Sequence, residues 1–370
     1  MTTVADVTAL LDSWYDPAWA ESWDAVGLAL GDPAAAVGAI HVALDPTEAV
    51  AVETVGVQAD LLLTHHPLYL GGTTSLSTGP KGRVVRTLAG RALFVAHTNA
   101  DVARPGVSDA LADRLGLTEL SPLQPGHDRL DRWVVHVPVT HTAAVLDAMA
   151  DAGAGTLGAY DRCAFTTSGE GTFRPQTGAS PFRGEVGAVE RVAEHRLELV
   201  AAPHLRRAIA AAVRVAHPYE VPSVSVVDVF APSDRGMGRV GLLPRTMSLE
   251  ALCALVGERL PATASGIRAS GDPDAPVRTV AVAGGACLDL AGVAHAAGAD
   301  VLVTSDAKHH RTQEAPLPIV DVAHWAGEWP WTAAVGARLA EALPGCRVSV
   351  SDLVTDPWTV QVGGRAGSAE

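Results

Sequence analysis

The chain is poor in lysine, in aromatic residues and in cysteine. Lysine occurs only at Lys81 and Lys308, so arginine carries nearly all of the 27 positive charges. No run of basic residues occurs, and the formal net charge is −14. A chain of that sign repels polyanions at long range, which argues against nucleic acid and anionic membrane surfaces as partners. The four cysteines, Cys163, Cys253, Cys287 and Cys346, lie far apart and form no C-x-x-C. That excludes a disulfide scaffold or a zinc ribbon and predicts buried thiols in a cytoplasmic protein. The most apolar stretch, 280–303, is interrupted by Asp289 and Asp300, so no bilayer span is expected. The opening M-T-T-V-A-D-V has neither a basic segment nor an apolar run, and no signal peptide is read there. No Walker A loop and no G-x-S-x-G elbow occurs.

What is present is a core-forming composition. The 370 residues are 48% hydrophobic and 18% charged, with Ala, Gly and Val prominent, which suits two domains with tightly packed α/β cores. Helix and strand signals alternate in the first third, with strands at 38–44, 60–64 and 91–96 and helices at 3–11, after Pro46, and at 81–90 and 106–116. The rhythm returns with strands at 278–283, 300–304 and 318–323, helices at 288–297, 308–315 and 331–342, and closing strands at 346–350 and 358–362. Such alternation means βαβ units and a mostly parallel sheet.

Two segments echo each other. A-D-L-L-L-T-H-H at 59–66 is similar to A-D-V-L-V-T-S-D at 299–306, and F-V-A-H-T-N-A-D at 94–101 to D-V-A-H-W-A-G-E at 321–328. In the second pair V-A-H is followed, four residues after the His, by a carboxylate. We read two related α/β halves forming one core domain, residues 1–127 plus 234–370. Between them the texture turns rich in Pro, Gly and Arg. Strands at 133–139, 196–201 and 223–229, helices at 142–152 and 204–215, and a loop or irregular hairpin at 166–184 predict an inserted α+β ferredoxin-like domain, 128–233.

The chemistry-bearing residues gather at predicted strand ends. His65 and His66 follow an apolar strand, where ligands of open α/β folds bind. Adjacent residues of an extended chain diverge, so two neighbouring ions could take one imidazole each. His97 and Asp101 end the next strand; His97 is either a ligand or a residue that orients one. His324 and Glu328 lie in the turn before Pro330, where Glu328 could bridge two ions. Each pattern taken alone also fits strand-end capping. Together His65, His66, Asp101, His324 and Glu328 offer three imidazoles and two carboxylates. Those are too many for a simple mononuclear site with an open position. They suit two ions about 3.5–4 Å apart, bridged by Glu328 and a water or hydroxide. Asp306 and His310, in T-S-D-A-K-H-H at 304–310, are candidates to contact substrate, relay a proton or support the ligands. His41 and Asp45 end an early strand within reach of a supporting role. Trp23, Trp325, Trp329 and Trp331 are candidates to wall the site or to pack the core.

At these residues the sequence resembles the NGG-interacting-factor-three-like family of dinuclear metal centre proteins, whose members are often labelled GTP cyclohydrolase 1 type 2 homologs. A-E-S-W-D-A-V-G-L at 20–28, A-D-L-L-L-T-H-H-P-L at 59–68, A-H-T-N-A-D at 96–101, A-D-V-L-V-T-S-D-A-K-H-H at 299–310 and V-A-H-W-A-G-E-W-P at 322–330 carry the likeness. The resemblance implies the same five ligands, two divalent ions per chain (zinc, iron, manganese or nickel) and a homohexameric ring built as a trimer of dimers. G-A-G-T-L-G-A-Y-D-R-C-A-F at 153–165, G-T-F-R-P at 171–175 and H-P-Y-E-V-P at 217–222 make the insert similar to the PII/CutA-like domain of the longer members. Ala25, Ser305 and the turn G-G-A-C at 284–287 depart from the family pattern, and none removes a ligand.

The expected function is a metal-dependent hydrolase of cyclohydrolase or phosphoester type, acting on a small molecule through a metal-bridging hydroxide, with His97, Asp306 or His310 moving protons. The alternative is a regulatory or metal-delivery protein working through protein partners, with His217, Tyr219 and Glu220 of the insert sensing an effector.

Overall fold

The computed structural model describes residues 1–73, 75–76 and 78–362. Its contacts divide the chain into two compact units, Met1–Gly126 with the chain from Asp234 onward, and His127–Ser233.

The first unit holds one five-stranded sheet, ordered Gly27–Leu30, Ala92–Val95, Leu61–Thr64, Ala39–Ala43, Arg347–Val350. All neighbours are parallel except the Gly27–Leu30 edge, which runs antiparallel to Ala92–Val95. In a second sheet of this unit, Pro276–Val282, Val301–Ser305 and Ile319–Val322 lie in parallel. The outer part of Ser223–Ser248 and the short Arg268–Ala269 flank them antiparallel. Both sheets are covered on both faces. Ile40, Val42, Leu61, Leu63 and Phe94 pack under the helices Val4–Trp14 and Pro330–Ala342, while Leu62 and Leu93 face Glu48–Gly56 and Pro80–Thr87. Two-sided burial is why these strands are apolar throughout instead of alternating.

The opening helix starts on a capping box, Thr3 accepting from the Asp6 amide while Asp6 accepts from the Thr3 amide. That cap is worth about 1 kcal/mol. Arg239 is fully buried and ties the loop that follows the helix Thr98–Val102. Its guanidinium donates to both oxygens of Asp109 (2.7 and 2.6 Å) and to the carbonyls of Ala103, Gly236 and Gly238. Removing Asp109 would strand that charge at a cost of about 3–5 kcal/mol.

The second unit runs strand–helix–strand–strand–helix–strand, with its sheet ordered Ala164–Phe173, Glu190–Ala201, Thr118–Pro138, Ser223–Ser248. Trp133, Val135, Val137, Leu197 and Leu199 pack on one face with Val145 and Met149 of Thr142–Asp151 and with Ile209 and Val213 of Arg206–Ala216.

Two expectations need correction. The loop or irregular hairpin read at 166–184 is, in its first part, the regular first arm of a hairpin, Ala164–Phe173, paired antiparallel with Glu190–Ala201 from Ala164↔Leu199 to Phe173↔Glu190. Its Gly and Thr content masked it, although Gly171 serves a packing purpose described below. The strand read at 358–362 is not formed. Trp358, Val360 and Val362 alternate as a strand would but remain exposed, because alternation without a buried face does not make a strand. No helix among the described residues is long and apolar enough to cross a membrane.

Candidate metal centre

The carboxyl ends of the parallel strands bring the expected donors together. His65 and His66 leave the end of Leu61–Thr64, and His97 the end of Ala92–Val95. Asp101 lies on the short helix Thr98–Val102. His324 and Glu328 begin and end the helix His324–Glu328, which follows Ile319–Val322. They sit on a helical turn, where a spacing of four residues sets two side chains on one face, rather than in an irregular turn.

Each of the four imidazoles is fixed through Nδ1. His65 Nδ1–H donates to the Ala96 carbonyl (2.8 Å), His66 to Asp45 Oδ1 (2.6 Å), His97 to Asp24 Oδ1 (2.8 Å) and His324 to Asp306 Oδ2 (2.7 Å). An acceptor at Nδ1 leaves the Nε2 lone pair free to act as a ligand and sets the ring's direction. All four Nε2-bearing rings meet: the His65 ring centroid is 5.0 Å from His66 and 5.1 Å from His97, and His66 is 5.3 Å from His324. Glu328 lies at the centre. Its Oε1 is 3.1 Å from His324 Nε2 and 3.6 Å from His65 Nε2, and its Oε2 is 3.0 Å from His66 Nε2. Asp101 Oδ1 is 3.7 Å from His65 Nε2.

Three groups of donors are close enough to hold a cation: His65, Asp101 and Glu328; His66, His324 and Glu328; and His65, His66 and His97. The hydrogen bonding calls for one. His65 Nε2, Asp101 Oδ1 and Glu328 Oε2 are all buried without a hydrogen-bond partner. Buried polar atoms are rarely left so, and three converging ones fit a shared cation. Backbone shape agrees. Gly285 has φ +71°, and a Cβ there would lie 2.5 Å from Glu328 Oε1 and 3.4 Å from His324 Nε2, so glycine keeps the space beside these donors open.

The charges are strongly interdependent. Burial opposes ionisation of Glu328, yet His66, His324 and His65 together hold its carboxyl well below the usual carboxylate range. Burial pushes Asp101 up to about 6, against the pull of His65 and with Glu328 adding to the rise. Burial also works against the His324 cation, but Glu328 and then Asp306 raise it to about 9. The nearby Cys287 thiol is pushed up to about 12 by burial and by Asp101 and Glu328, so it stays protonated.

Trp331 is buried against His65, with ring centroids 5.4 Å apart, and its Nε1–H donates to the Tyr15 hydroxyl. Trp23 stands edge-on to His97 at 6.0 Å. Trp329 packs on Trp325 at 6.3 Å. Beside His66 and His324 opens a cleft of about 780 Å³, walled by Asp45, Asp306, Trp325 and Trp358.

Of the supporting candidates, Asp306 orients His324, and Asp45 orients His66 while accepting from Thr355. His41 lies elsewhere, bonded to Ser349 and Glu53. His310 is exposed and belongs to none of the donor groups. Two groups were not read as parts of the site. Asp24 holds His97 and also accepts from the Thr98 amide and hydroxyl, and its only sequence signal is its place in the A-E-S-W-D-A-V-G-L stretch. The Ala96 carbonyl has no sequence signal.

Four directed imidazoles and two carboxylates, Glu328 buried and Asp101 mostly so, converge at strand ends of an α/β core and make a candidate metal site. The whole-chain comparisons identify the family: residues 2–357 match Duf34/NIF3 (NGG1p interacting factor 3), and the chain belongs to it. A GTP cyclohydrolase 1 type 2 homolog of Mycobacterium leprae is 47% identical over 96% of this chain and 95% of its own length. One of Bacillus subtilis is 35% identical over 95% and 97%. Among solved structures, a Bacillus cereus protein related to NIF3 is 34% identical, with TM-score 0.79 over 96% of this chain and 98% of that one. A Staphylococcus aureus protein is 26% identical, with TM-score 0.84 over 97% and 98%.

Proposed function

We propose that the chain is a dinuclear metal-dependent hydrolase of small molecules, acting in the cytoplasm. The observation that carries this is the sharing of Glu328 between two donor groups. His65, Asp101 and Glu328 would hold one divalent cation; His66, His324 and Glu328 would hold the other. Carboxylate and imidazole donors suit zinc, iron, manganese or nickel. When bound, such a pair lowers the pKa of water toward neutrality and polarises a carbonyl or phosphoryl oxygen.

The chain's own residues supply the rest. Asp45, Asp306 and the Ala96 carbonyl keep three imidazoles aimed, so no rotamer search precedes binding. Trp331 closes the floor beneath His65 and excludes water there. His97, with Nδ1–H on Asp24, keeps Nε2 directed toward His65 and His66, placed to accept a proton at that atom. The cleft beside His66 and His324 supports a small-molecule substrate. The names carried by the relatives support a cyclohydrolase acting on a purine nucleotide as the first reaction to try.

The insert supports a PII/CutA-like reading through its strand–helix–strand–strand–helix–strand order and its sheet order. The family likeness supports a hexameric ring, which mass photometry of the purified chain tests.

The decisive experiment joins metal stoichiometry by plasma mass spectrometry, on untagged protein, to a turnover screen of phosphoesters, nucleotides and cyclic amides. About two ions per chain with metal-dependent turnover is the expected result. Two ions without turnover would overturn the hydrolase and favour metal-dependent regulation. Less than one ion after reconstitution would overturn the site.

A further inference from the structure

The inserted unit, His127–Ser233, has a cleft of its own, about 670 Å³, on the sheet face turned away from its two helices. Alternation along the strands sends Val135, Val137, Leu197 and Leu199 toward the helices and leaves His136, Glu194 and Arg196 on the cleft side. Segments 173–182 and 219–221 fold around it and bring three aromatic rings together. The Tyr219 ring centroid lies 5.6 Å from Phe173 and 6.3 Å from Phe182.

Among these rings sits a buried carboxylate. Glu194 is only 8% exposed, and no basic side chain is paired with it in the ion pairs of the described residues. Its Oε1 accepts from the Tyr219 hydroxyl at 2.7 Å. Burial and Glu194 push that hydroxyl's pKa upward, so it remains a donor to the Glu194 carboxyl. Gly171 makes this placement possible, because a Cβ at that position would fall on the Glu194 carboxylate. Two cations, Arg174 and Arg196, line the cleft, and Arg196 is engaged by Glu198 at 2.7 Å. Glu220 stands at the rim, accepting from the Ser180 amide. An anion entering here would meet the buried Glu194 and, at the rim, Glu220, while Glu170 is paired with Arg191 at 2.6 Å. A cation would meet them favourably and could lie against the faces of the rings.

We propose that this cleft binds a small organic cation, an amine or quaternary ammonium, with its charge against Glu194 and its body against Tyr219, Phe173 and Phe182. The volume is that of a small-molecule site rather than of a bare ion. The proposal stands apart from the metal centre and does not depend on it.

The test is calorimetric titration of the full chain with choline, agmatine and tetramethylammonium at millimolar concentration. Neopentyl carbinol serves as the uncharged isostere of choline. At least one cation should bind saturably, and the alcohol should bind about tenfold or more weakly than choline if choline is the ligand. Glu194→Gln keeps an acceptor for Tyr219 but removes the charge, and should weaken the cation about tenfold. Phe182→Ala, at an exposed ring, should weaken it without threatening the fold. Metal content should be unchanged in both variants. Failure of all three cations to bind overturns the proposal. So does equal binding of choline and its isostere, or undiminished binding by Glu194→Gln.

Discussion

The two sheets of the core unit, compared at matched positions, differ in the chemistry they carry. In the first, Asp60 Oδ2 accepts from the amides of Gly38 and Ala39 (2.8 and 3.0 Å); in the second, Asp300 Oδ2 accepts from those of Arg278 and Thr279 (both 2.8 Å). Each strand that follows carries a buried Thr at or next to its end, Thr64 or Thr304. Each next strand ends V-A-H, with a carboxylate four residues later. Between these matched points the chemistry diverges. The first half offers His65 and His66, where the second has Ser305 and Asp306. Ser305 is fully buried, and a Cβ at Gly327 would lie 3.3 Å from its hydroxyl. Asp306 orients His324 from within its own half, whereas His97 depends on Asp24 from the N-terminal segment. Two sheets of similar order thus give two strand-end platforms. Where the first half carries His66, the second carries Asp306, which directs its own His324.

The largest effect is expected where the halves meet. Glu328→Ala removes the donor shared by two groups and should strip nearly all bound metal, while Asp101→Ala and His324→Ala each disable one group and should leave about half. Plasma mass spectrometry reads this directly. If either single variant loses everything, the two groups act as one site and the comparison breaks. A smaller effect is expected at the supports. Asp306→Ala and Asp45→Ala leave the ligands in place but free their rings, so metal affinity should fall about 10–100-fold in competition with a chromophoric chelator. Asp24→Ala sharpens the point: a comparable fall would make His97 a ligand, and unchanged affinity would leave it a proton carrier.

The sequence made the candidate donors legible because they follow short, fully buried strands, where residue type and position coincide. His65, His66, Asp101, His324 and Glu328 were all visible this way. Their supports were less so. Asp24 reaches His97 across 73 residues, a pairing that only the fold creates. The Ala96 carbonyl is carried by every residue type. Of the elements, the parallel strands were evident from their continuous Leu and Val. The edge strands Gly27–Leu30 and Arg268–Ala269 were not, being short and incompletely buried. The strand Ala164–Phe173 was hidden by its composition: nearly all of it is exposed, and Gly171 answers to packing against Glu194 rather than to a turn. Trp358, Val360 and Val362 taught the reverse, since a pattern suited to a strand earned none without a partner.

The smallest effect tests the repeat itself. Asp60→Ala and Asp300→Ala each free two backbone amides at the start of a parallel strand. Both aspartates are exposed, so water replaces most of what is lost, and each change should cost about 1 kcal/mol by denaturant melting. Metal content should not change, because both lie at the strand ends opposite the donors. Matching losses would mark the two aspartates as equivalent parts of a duplicated unit. A large loss at one and none at the other would mean that the A-D-L-L-L-T and A-D-V-L-V-T segments only look alike, and that the halves converged on strand-end chemistry from different scaffolds.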